Sequence, residues 1–497
     1  MASAGKTVSE LAGQIEGARV VGTSDTLVTD VTHDSRQVSP DSMYLALRGS
    51  NVDGHEFVDA AVAGGAVAVC VDHELAAEAS QLIVPDTRAI AGVLAAAVHD
   101  NPSRTIDVIG VTGTNGKTTV THFIESIGND AGLTTGLIGT IQTRYADKTV
   151  ESVMTTPEAT DFQRLLAAMR DEGVALVAME VSSHALEFGR VAATEFAVAA
   201  FTNLSQDHLD FHGDMGSYRA AKERLFREYD VKTAVINIDD AVGRDLAGTV
   251  EGDLITVGTV GDVAISGLTP MAGGSRFTIS TAWGRTELVA PVLGDFNVSN
   301  LAVAAACCLA AGISFDEVAA GMGRVAGVPG RFEIVSGTDP IVVIVDYAHT
   351  PEGVARAVET AHTLTYGRVI GLIGAGGDRD RAKRPAMGAA IANADVAVIT
   401  SDNPRSEDPR AIVDAVVSGV PEDSNLIVEV DRRRAIDMAV DAAGDGDVIL
   451  VLGRGHEPFQ QIAGEKLPFD DRQAAAASLR RRRMSAESGP TSGSIDT

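Results

Sequence analysis

Apolar residues follow two rhythms along the chain. At 174–181, 197–204 and 233–238 they form short continuous runs, and the stretch 106–119 opens with another that leads into a glycine-rich turn and a helix. A strand covered by helices on both faces is apolar on both, so these runs predict a mostly parallel sheet. Between 254 and 293 the runs shorten and alternate, at 275–280 and 287–292, which predicts a few antiparallel strands added to that sheet before a helix over 297–311. From 334 a strand–helix unit repeats: 341–345 with 352–364, 369–373 with 384–394, 396–400 with 409–416, 426–430 with 432–443, and a closing strand at 448–452. That regularity predicts a doubly wound, Rossmann-like domain. Ahead of all this, strand-like pieces at 28–32, 43–48 and 66–71 and a helical stretch at 57–64 end at Asn101-Pro102-Ser103, as a small α/β domain would.

The chain therefore reads as α/β with three domains: a small N-terminal α/β domain over 1–104, a central domain with a mostly parallel sheet over 105–333, and a C-terminal doubly wound domain over 334–484. A tail over 485–497, rich in Ser and Gly, reads as a frayed end, and the arginines at 480–483 as a solvated helix end. A length of 497 residues is too great for one core and agrees with several domains. The formal net charge of −28 argues against nucleic acid as a partner, since a phosphate backbone needs a basic face. Three cysteines, Cys70, Cys307 and Cys308, give neither a disulfide framework nor a metal knuckle and read as small core side chains. No signal-like N-terminus and no run of membrane-spanning length is present, so the expectation is a soluble, cytoplasmic protein without a membrane partner.

The densest chemistry lies at Thr112-Gly113-Thr114-Asn115-Gly116-Lys117-Thr118-Thr119, after an apolar strand and at a helix start. Such a P-loop cradles a triphosphate on backbone N–H groups, with Lys117 reaching the terminal phosphates and the Thr118 hydroxyl placed for Mg²⁺. The loop is a variant, because Val111 stands six places before the lysine where glycine is usual. Glu180 and His208 follow later strands, so they are expected on the same rim, where a carboxylate and an imidazole suit Mg²⁺. In the first domain His33-Asp34-Ser35-Arg36 and the loop 47–54 are either ordinary turns or a grip for an elongated anionic ligand. In the third, polar residues follow each strand, at 346–351, 374–380, 401–405 and 453–457, and define a crevice. The Gly374–Gly377 stretch lacks the full dinucleotide fingerprint and reads as a loop that brings Arg379 to an anionic ligand.

Taken in order, Gly-Thr-Asn-Gly-Lys-Thr-Thr, Glu-Val-Ser-Ser-His, Asn-Leu-Ser-Gln-Asp-His-Leu-Asp, Tyr-Arg-Ala-Ala-Lys, Gly-Asp-Phe-Asn-Val-Ser-Asn, Gly-Arg-Phe-Glu, Asp-Tyr-Ala-His-Thr-Pro, Asp-Asn-Pro-Arg and Gly-Arg-Gly-His-Glu resemble the motifs of the Mur ligases over nearly the whole chain. The resemblance is to the members that add the third residue of the peptidoglycan stem peptide. It implies a monomeric, cytoplasmic ligase whose partners are ATP, UDP-N-acetylmuramoyl-L-Ala-D-Glu and an amino acid, with Mg²⁺ as cofactor. It implies ATP contacts from residues 112–119, Asn297 and Asn300 on the adenine side, and Arg331 and Asp346 at ribose and phosphate. It implies Mg²⁺ contacts from Thr118, Glu180, His208 and Lys222, with Lys117, Glu180, His208 and Lys222 catalytic. Thr155, Thr156, Ser182 and Arg190 match positions that hold the muramoyl dipeptide, with His33, Ser35, Ser50, Asn51 and Val52 on the uridine side. Where some members carry glutamine two places before that arginine, this chain has Phe188.

Lys222, on its own an ordinary surface lysine of a helix, matches the lysine that the family carries as a carbamate (N6-carboxylysine). Amide formation from a carboxylate needs a leaving group, which ATP supplies as an acyl phosphate, so no side-chain nucleophile is required. The resemblance makes the acceptor the γ-carboxyl of D-Glu and the amine donor meso-diaminopimelate, bound by Arg405 with Asp402, Asn403, Pro404, Gly453, Glu457 and the nearby Arg379. A guanidinium pairs with the distal carboxylate of diaminopimelate and repels the bare distal ammonium of lysine. Folylpolyglutamate synthase and the MurF ligase would share the ATPase core but not the Asp402–Arg405 loop or the threonine pair. A non-catalytic ATP-binding regulator on the same scaffold is weakened by the filled catalytic positions.

Overall fold

The computed structural model describes residues 5–49, 52–271 and 273–487. Three sheets carry the architecture. The first has five strands in the order Arg19–Val21, Ser80–Ile83, Ala68–Val71, Ser42–Leu45, Asp30–Thr32, parallel except for the first pair. The expected strand at 28–32 is two pieces here, because Leu27–Val28 turns away to pair with Lys6–Thr7. The second sheet has eleven strands, and at its centre Leu176–Glu180, Asp107–Thr112 and Glu195–Phe201 lie side by side and parallel. Its far side ends in the expected antiparallel strands, Val263–Met271, Gly274–Thr281 and Gly284–Ala290. The near side ends in a hairpin, Gln142–Tyr145 with Lys148–Glu151, that the apolar pattern did not announce.

Alternate side chains explain the continuous apolar runs. Ile109, Val111, Ala178 and Val198 pack into one core with the helices Lys117–Asp130 and Asp295–Ala310. Val108, Val177, Met179 and Ala199 pack into another with Phe162 and Leu166 of the helix Ala159–Asp171. Each strand is thus buried twice, and its carboxyl end is left as the exposed rim on which polar residues collect. Cys307 and Cys308 are buried thiols of the Asp295–Ala310 helix, and Cys70 is buried in its strand, all three unpaired.

In the third sheet the strand that closes the series in sequence, Val448–Leu452, lies between Val342–Asp346 and Val369–Ile373, with Val396–Ile399 and Leu426–Val428 beyond. Its loop therefore enters the middle of the crevice rather than its edge. Beneath it Arg432 and Asp471 form a fully buried bidentate ion pair at 2.8 and 2.7 Å, and Arg432 also donates to the carbonyls of Ser401 and Leu452. Asp471 opens a last helix, Asp471–Glu487, in which the arginine run is only partly free. Arg481 pairs with Asp437, Arg482 donates to Val440 O and Arg483 pairs with Asp339. The tail expected from 485 falls, from 488 on, outside the described residues. Among the described residues no helix is long and apolar enough to cross a membrane.

Truncating one partner of a buried ion pair leaves the other charge desolvated and unmatched, at a cost of about 3–5 kcal/mol. Asp471→Ala should lower the urea midpoint of the C-terminal domain's transition accordingly. An unchanged midpoint would show that the pair is structurally idle.

Candidate active site

The loop 113–116 joins the strand Asp107–Thr112 to the helix Lys117–Asp130 and is glycine-rich for steric reasons. A Cβ on Gly113, at φ 145°, would overlap Thr202 Oγ1, and one on Gly116, at φ 89°, would overlap Asn300 Oδ1. Neighbouring strand ends fix the loop: Asn203 Oδ1 accepts from Asn115 N at 2.9 Å, and Thr202 Oγ1 donates to Asn115 O at 2.6 Å. Lys117 folds back, its Nζ 2.9 Å from the carbonyls of both Gly113 and Thr114. Burial pushes this amine below its usual pKa against the fields of Glu180 and Asp207.

Thr118 and Glu180 meet as the rim argument expects. Thr118 Oγ1 donates to Glu180 Oε2 at 3.0 Å and accepts from Arg331 Nη2 at 2.9 Å. Thr140, a residue the sequence reading passed over, donates to Glu180 Oε1 from its N–H at 2.7 Å and to Oε2 from its hydroxyl at 3.1 Å. His208 sits just after a strand end in a left-handed conformation, φ 54°, and burial pushes its imidazole down to about 3, so it is neutral. Lys222 is not the surface lysine its helix suggests. It is 1% exposed, lies over the Tyr218 ring at 4.5 Å, and donates to Gly113 O at 2.8 Å. Burial first, and the neighbouring Lys117 charge second, depress its pKa far below the ordinary lysine value.

These groups open onto one cavity of about 1150 Å³. Lys117, Thr118 and Thr119 line it with Glu180 and His208, and Asn297, Asn300, Arg331 and Asp346 line the same space. Asp346 is pinned by N–H groups of Phe332 and Ala348 at 2.7 and 2.8 Å, and Arg331 lies over the Tyr347 ring. Thr155, Thr156, Ser182 and Arg190 line the cavity too. Thr156 donates to Glu180 O, Ser182 caps the helix Ser183–Glu187, and Arg190 pairs with Glu158 at 2.8 Å. Phe188 takes the guanidinium groups of Arg88 and Arg190 over its ring, at 5.4 and 5.6 Å. Thr112 is buried at the end of its strand beneath the loop.

Two sets of expected residues lie outside this cavity. In the first domain His33 bonds Thr160 Oγ1 at 2.8 Å, Ser35 opens a short 3₁₀ turn and Val52 is exposed, while Ser50 and Asn51 fall outside the described residues. In the third domain, Asn403 Nδ2 donates to Glu457 Oε2 at 2.6 Å, and Gly453, φ 109°, lets Asp402 approach. Pro404 packs its carbonyl against Gly377, so the glycines at 374–377 serve loop-on-loop packing. Arg405, at φ 52°, donates from Nη1 to Gly377 O at 2.6 Å. The hairpin Phe459–Ile462 with Glu465–Pro468 holds this group, through Gln461 O to Arg405 N and Asn403 Oδ1 to Gln461 N. Burial and then Asp402 push the Glu457 carboxyl up. Arg379, exposed, is the member of this set that also lines the cavity.

Asp207 links the two regions. It accepts from Lys383 Nζ at 3.1 Å and meets His349 Nε2 at 3.2 Å, both from the third domain. Burial alone would raise its carboxyl, but the bond and charge of His349, and then Lys383, hold it well below the usual range.

Three family descriptions match the chain: "Mur ligase family, catalytic domain" over 27–106, "Mur ligase middle domain" over 111–308 and "Mur ligase, glutamate ligase domain" over 330–455. A relative from Geobacillus thermodenitrificans, named UDP-N-acetylmuramoyl-L-alanyl-D-glutamate–2,6-diaminopimelate ligase, is 45% identical over 461 residues, covering 90% of this chain and 94% of its own. One from Streptomyces coelicolor with the same name is 42% identical over 495 residues, covering 95% and 96%. A solved structure of a ligase so named superposes with a TM-score of 0.69 at 28% identity, covering 96% of this chain and 99% of its own. The fold is shared with MurF from Thermotoga maritima in complex with ADP, TM-score 0.67 at 16% identity over 93% of this chain and all of that one.

Removing the Asp207 carboxylate should release both partners from the third domain. Asp207→Ala is expected to speed amide hydrogen exchange at 347–353 and 380–388 while leaving the central sheet protected; unchanged exchange at those two segments would show that the contact holds nothing.

Proposed function

Because the chain belongs to the Mur ligase family, we propose that it is the ATP-dependent amide ligase that joins meso-diaminopimelate to the D-Glu γ-carboxylate of UDP-N-acetylmuramoyl-L-Ala-D-Glu in peptidoglycan precursor synthesis. One observation carries the reading: a single cavity runs from the phosphate loop to Thr155, Thr156, Ser182 and Arg190, so a nucleotide's terminal phosphate and a second anionic substrate can meet in it. The named relatives agree, and the ADP complex of a fold relative supports ATP as co-substrate. ATP and a nucleotide-linked precursor are cytoplasmic metabolites, and the reading carries with it a cytoplasmic enzyme acting as a monomer.

In this reading the N–H groups of the loop and Lys117 hold the phosphates, with Asn297 and Asn300 on the adenine side and Arg331 and Asp346 at ribose and phosphate. The γ-carboxylate oxygen attacks the terminal phosphorus, ADP leaves, and an acyl phosphate remains. The amine then attacks the acyl carbon, and phosphate departs with the electron pair of the C–O bond. Positioning and charge neutralisation do the work in phosphoryl transfer. The Thr118 hydroxyl, the Glu180 carboxylate and a neutral His208 are donors that fit Mg²⁺. Bound there, Mg²⁺ would offset charge on the transferring phosphoryl group.

Lys222 fits the carbamate reading because only an unprotonated amine reacts with CO₂, and burial beside Lys117 favours that form. The carbamate would replace a disfavoured second cation with an anion next to Lys117. Lys222→Ala should lose most turnover, and a short carboxylate such as formate or acetate should restore part of it; full activity without additives would refute the assignment.

For the amine, Arg405 supplies the guanidinium for the distal carboxylate, with Asp402, Asn403, Pro404, Gly453 and Glu457 around it and Arg379 between this group and the cavity. His33, Ser35, Ser50, Asn51 and Val52 are assigned to the uridine end. The decisive experiment gives the purified enzyme ATP and the muramoyl dipeptide with a panel of amino acids, scored by product mass and phosphate release. Diaminopimelate should be used in preference to lysine, and Arg405→Ala should cost about 2–4 kcal/mol in kcat/KM for it. A wild-type preference for lysine would overturn the reading.

A further inference from the structure

Away from the cavity, in the first domain, two imidazoles and a carboxylate converge. His55 belongs to the short 3₁₀ turn Gly54–Phe57 at the foot of the loop 47–54, and Asp72 and His73 directly follow the strand Ala68–Val71. One ligand atom from each lies within 4.8 Å of the other two. We propose that His55, Asp72 and His73 form a separate metal site that takes one tetrahedral cation of the zinc class through three side chains and a water.

One of the three ligand spacings already fits such an ion, and His73, stacked on His55 with ring centroids 5.0 Å apart, must turn to complete the set. With ligands about 2.0–2.2 Å from the metal, the edge of a tetrahedron is about 3.3 Å, and His55 Nε2 lies 3.3 Å from an oxygen of Asp72. His73 Nδ1 is 2.5 Å from the same oxygen and must open by a side-chain rotation, which its half-exposed position allows. Two imidazoles with one carboxylate select zinc, cobalt or nickel over magnesium or calcium, which prefer all-oxygen shells.

The surroundings are those of a metal-bound histidine. His55 Nδ1 is 2.6 Å from Asp53 Oδ1, an arrangement in which the outer carboxylate fixes the tautomer and turns the Nε2 lone pair towards the site. Arg48 Nε is 2.8 Å from the other oxygen of Asp72. Asp53, Asp72 and Arg48 together leave one negative charge, which a divalent ion offsets. The bond the ion must replace is a long one, from the Asp72 N–H to His55 Nε2 at 3.2 Å. Occupied, the site would tie the foot of the 47–54 loop, already closed by the Arg48–Asp53 bridge, to the carboxyl end of the strand.

Co²⁺ titrated into the metal-stripped full chain tests this by the visible bands of four-coordinate cobalt. The expected result is bands that saturate at one equivalent, are displaced by Zn²⁺ and not by Mg²⁺, disappear in His73→Ala and Asp72→Asn, and survive in Glu180→Gln. Asp53→Asn should weaken Zn²⁺ competition by about 10- to 100-fold. No bands, bands that persist in His73→Ala, or bands lost only in Glu180→Gln would overturn the proposal. His73 is half exposed and its replacement should leave the circular dichroism unchanged, so that variant decides if Asp72→Asn misfolds.

Discussion

Two lysine amines point at one carbonyl. Gly113 O receives Lys117 at 2.9 Å and Lys222 at 2.8 Å, in a site where Lys222 is almost fully buried. That shared carbonyl, even with Thr114 O also accepting from Lys117 at 2.9 Å, cannot balance two ammonium ions at low dielectric, where like charges a few ångströms apart repel by several kcal/mol. The protein answers in two ways. Desolvation drives both lysines towards the neutral form, helped by the Arg331 charge at Lys117 and by the Lys117 charge at Lys222, while Asp207 opposes this at both and Glu180 at Lys117. In the proposed reading, a polyphosphate would restore full charge to Lys117 and a carbamate would remove the conflict at Lys222. The neighbouring parts follow from this need, since Glu180 can sit beside Thr118 only because Gly139 and Thr140 let its carboxylate close in and bond it.

What the sequence made legible follows from periodicity and burial. Strands buried on both faces announce themselves, so Val369–Ile373 and Val448–Leu452 are as expected and the phosphate loop falls where its glycines place it. Strand order was not legible. Nothing local tells Val448–Leu452 to insert between Val342–Asp346 and Val369–Ile373, because that depends on which crossover packs its helix, a choice made by the whole core. The hairpins Gln142–Glu151 and Phe459–Pro468 escaped because one strand of each, Lys148–Glu151 and Glu465–Pro468, is exposed at all four positions and carries no core signal, and its partner is only four residues long.

The site divides the same way. Residues with a strong local motif, Lys117 and Thr118, could be read directly. Lys222 could not, because burial is a property of what packs on a helix and not of the helix itself; only the family resemblance singled it out. Asp207, His349 and Lys383 lie at 207, 349 and 383 in sequence and meet only across the domain boundary. Thr140 was missed for a simpler reason: a lone threonine after a short strand carries no signal until Glu180 is placed beside it.

Backbone strain shows where the structure spends stability on the site. Five non-glycine residues with left-handed backbones, His208, Phe332, Asp378, Arg405 and Ala463, lie in loops that frame the cavity or the third-domain group, with φ between 49° and 54°. Each such residue costs on the order of 1–3 kcal/mol unless the surroundings over-determine it. For Arg405 they do. Its N–H donates to Gln461 O, its carbonyl accepts from Ala463 N at 2.7 Å, and its guanidinium donates to Gly377 O. A relaxed backbone would turn the side chain away from Asn403 and Glu457, which the same hairpin holds through Gln461. The otherwise unremarked strands 459–468 therefore act as the brace for the proposed amine-selecting group, and the strain they absorb is what keeps a flexible arginine from wandering out of register with its neighbours.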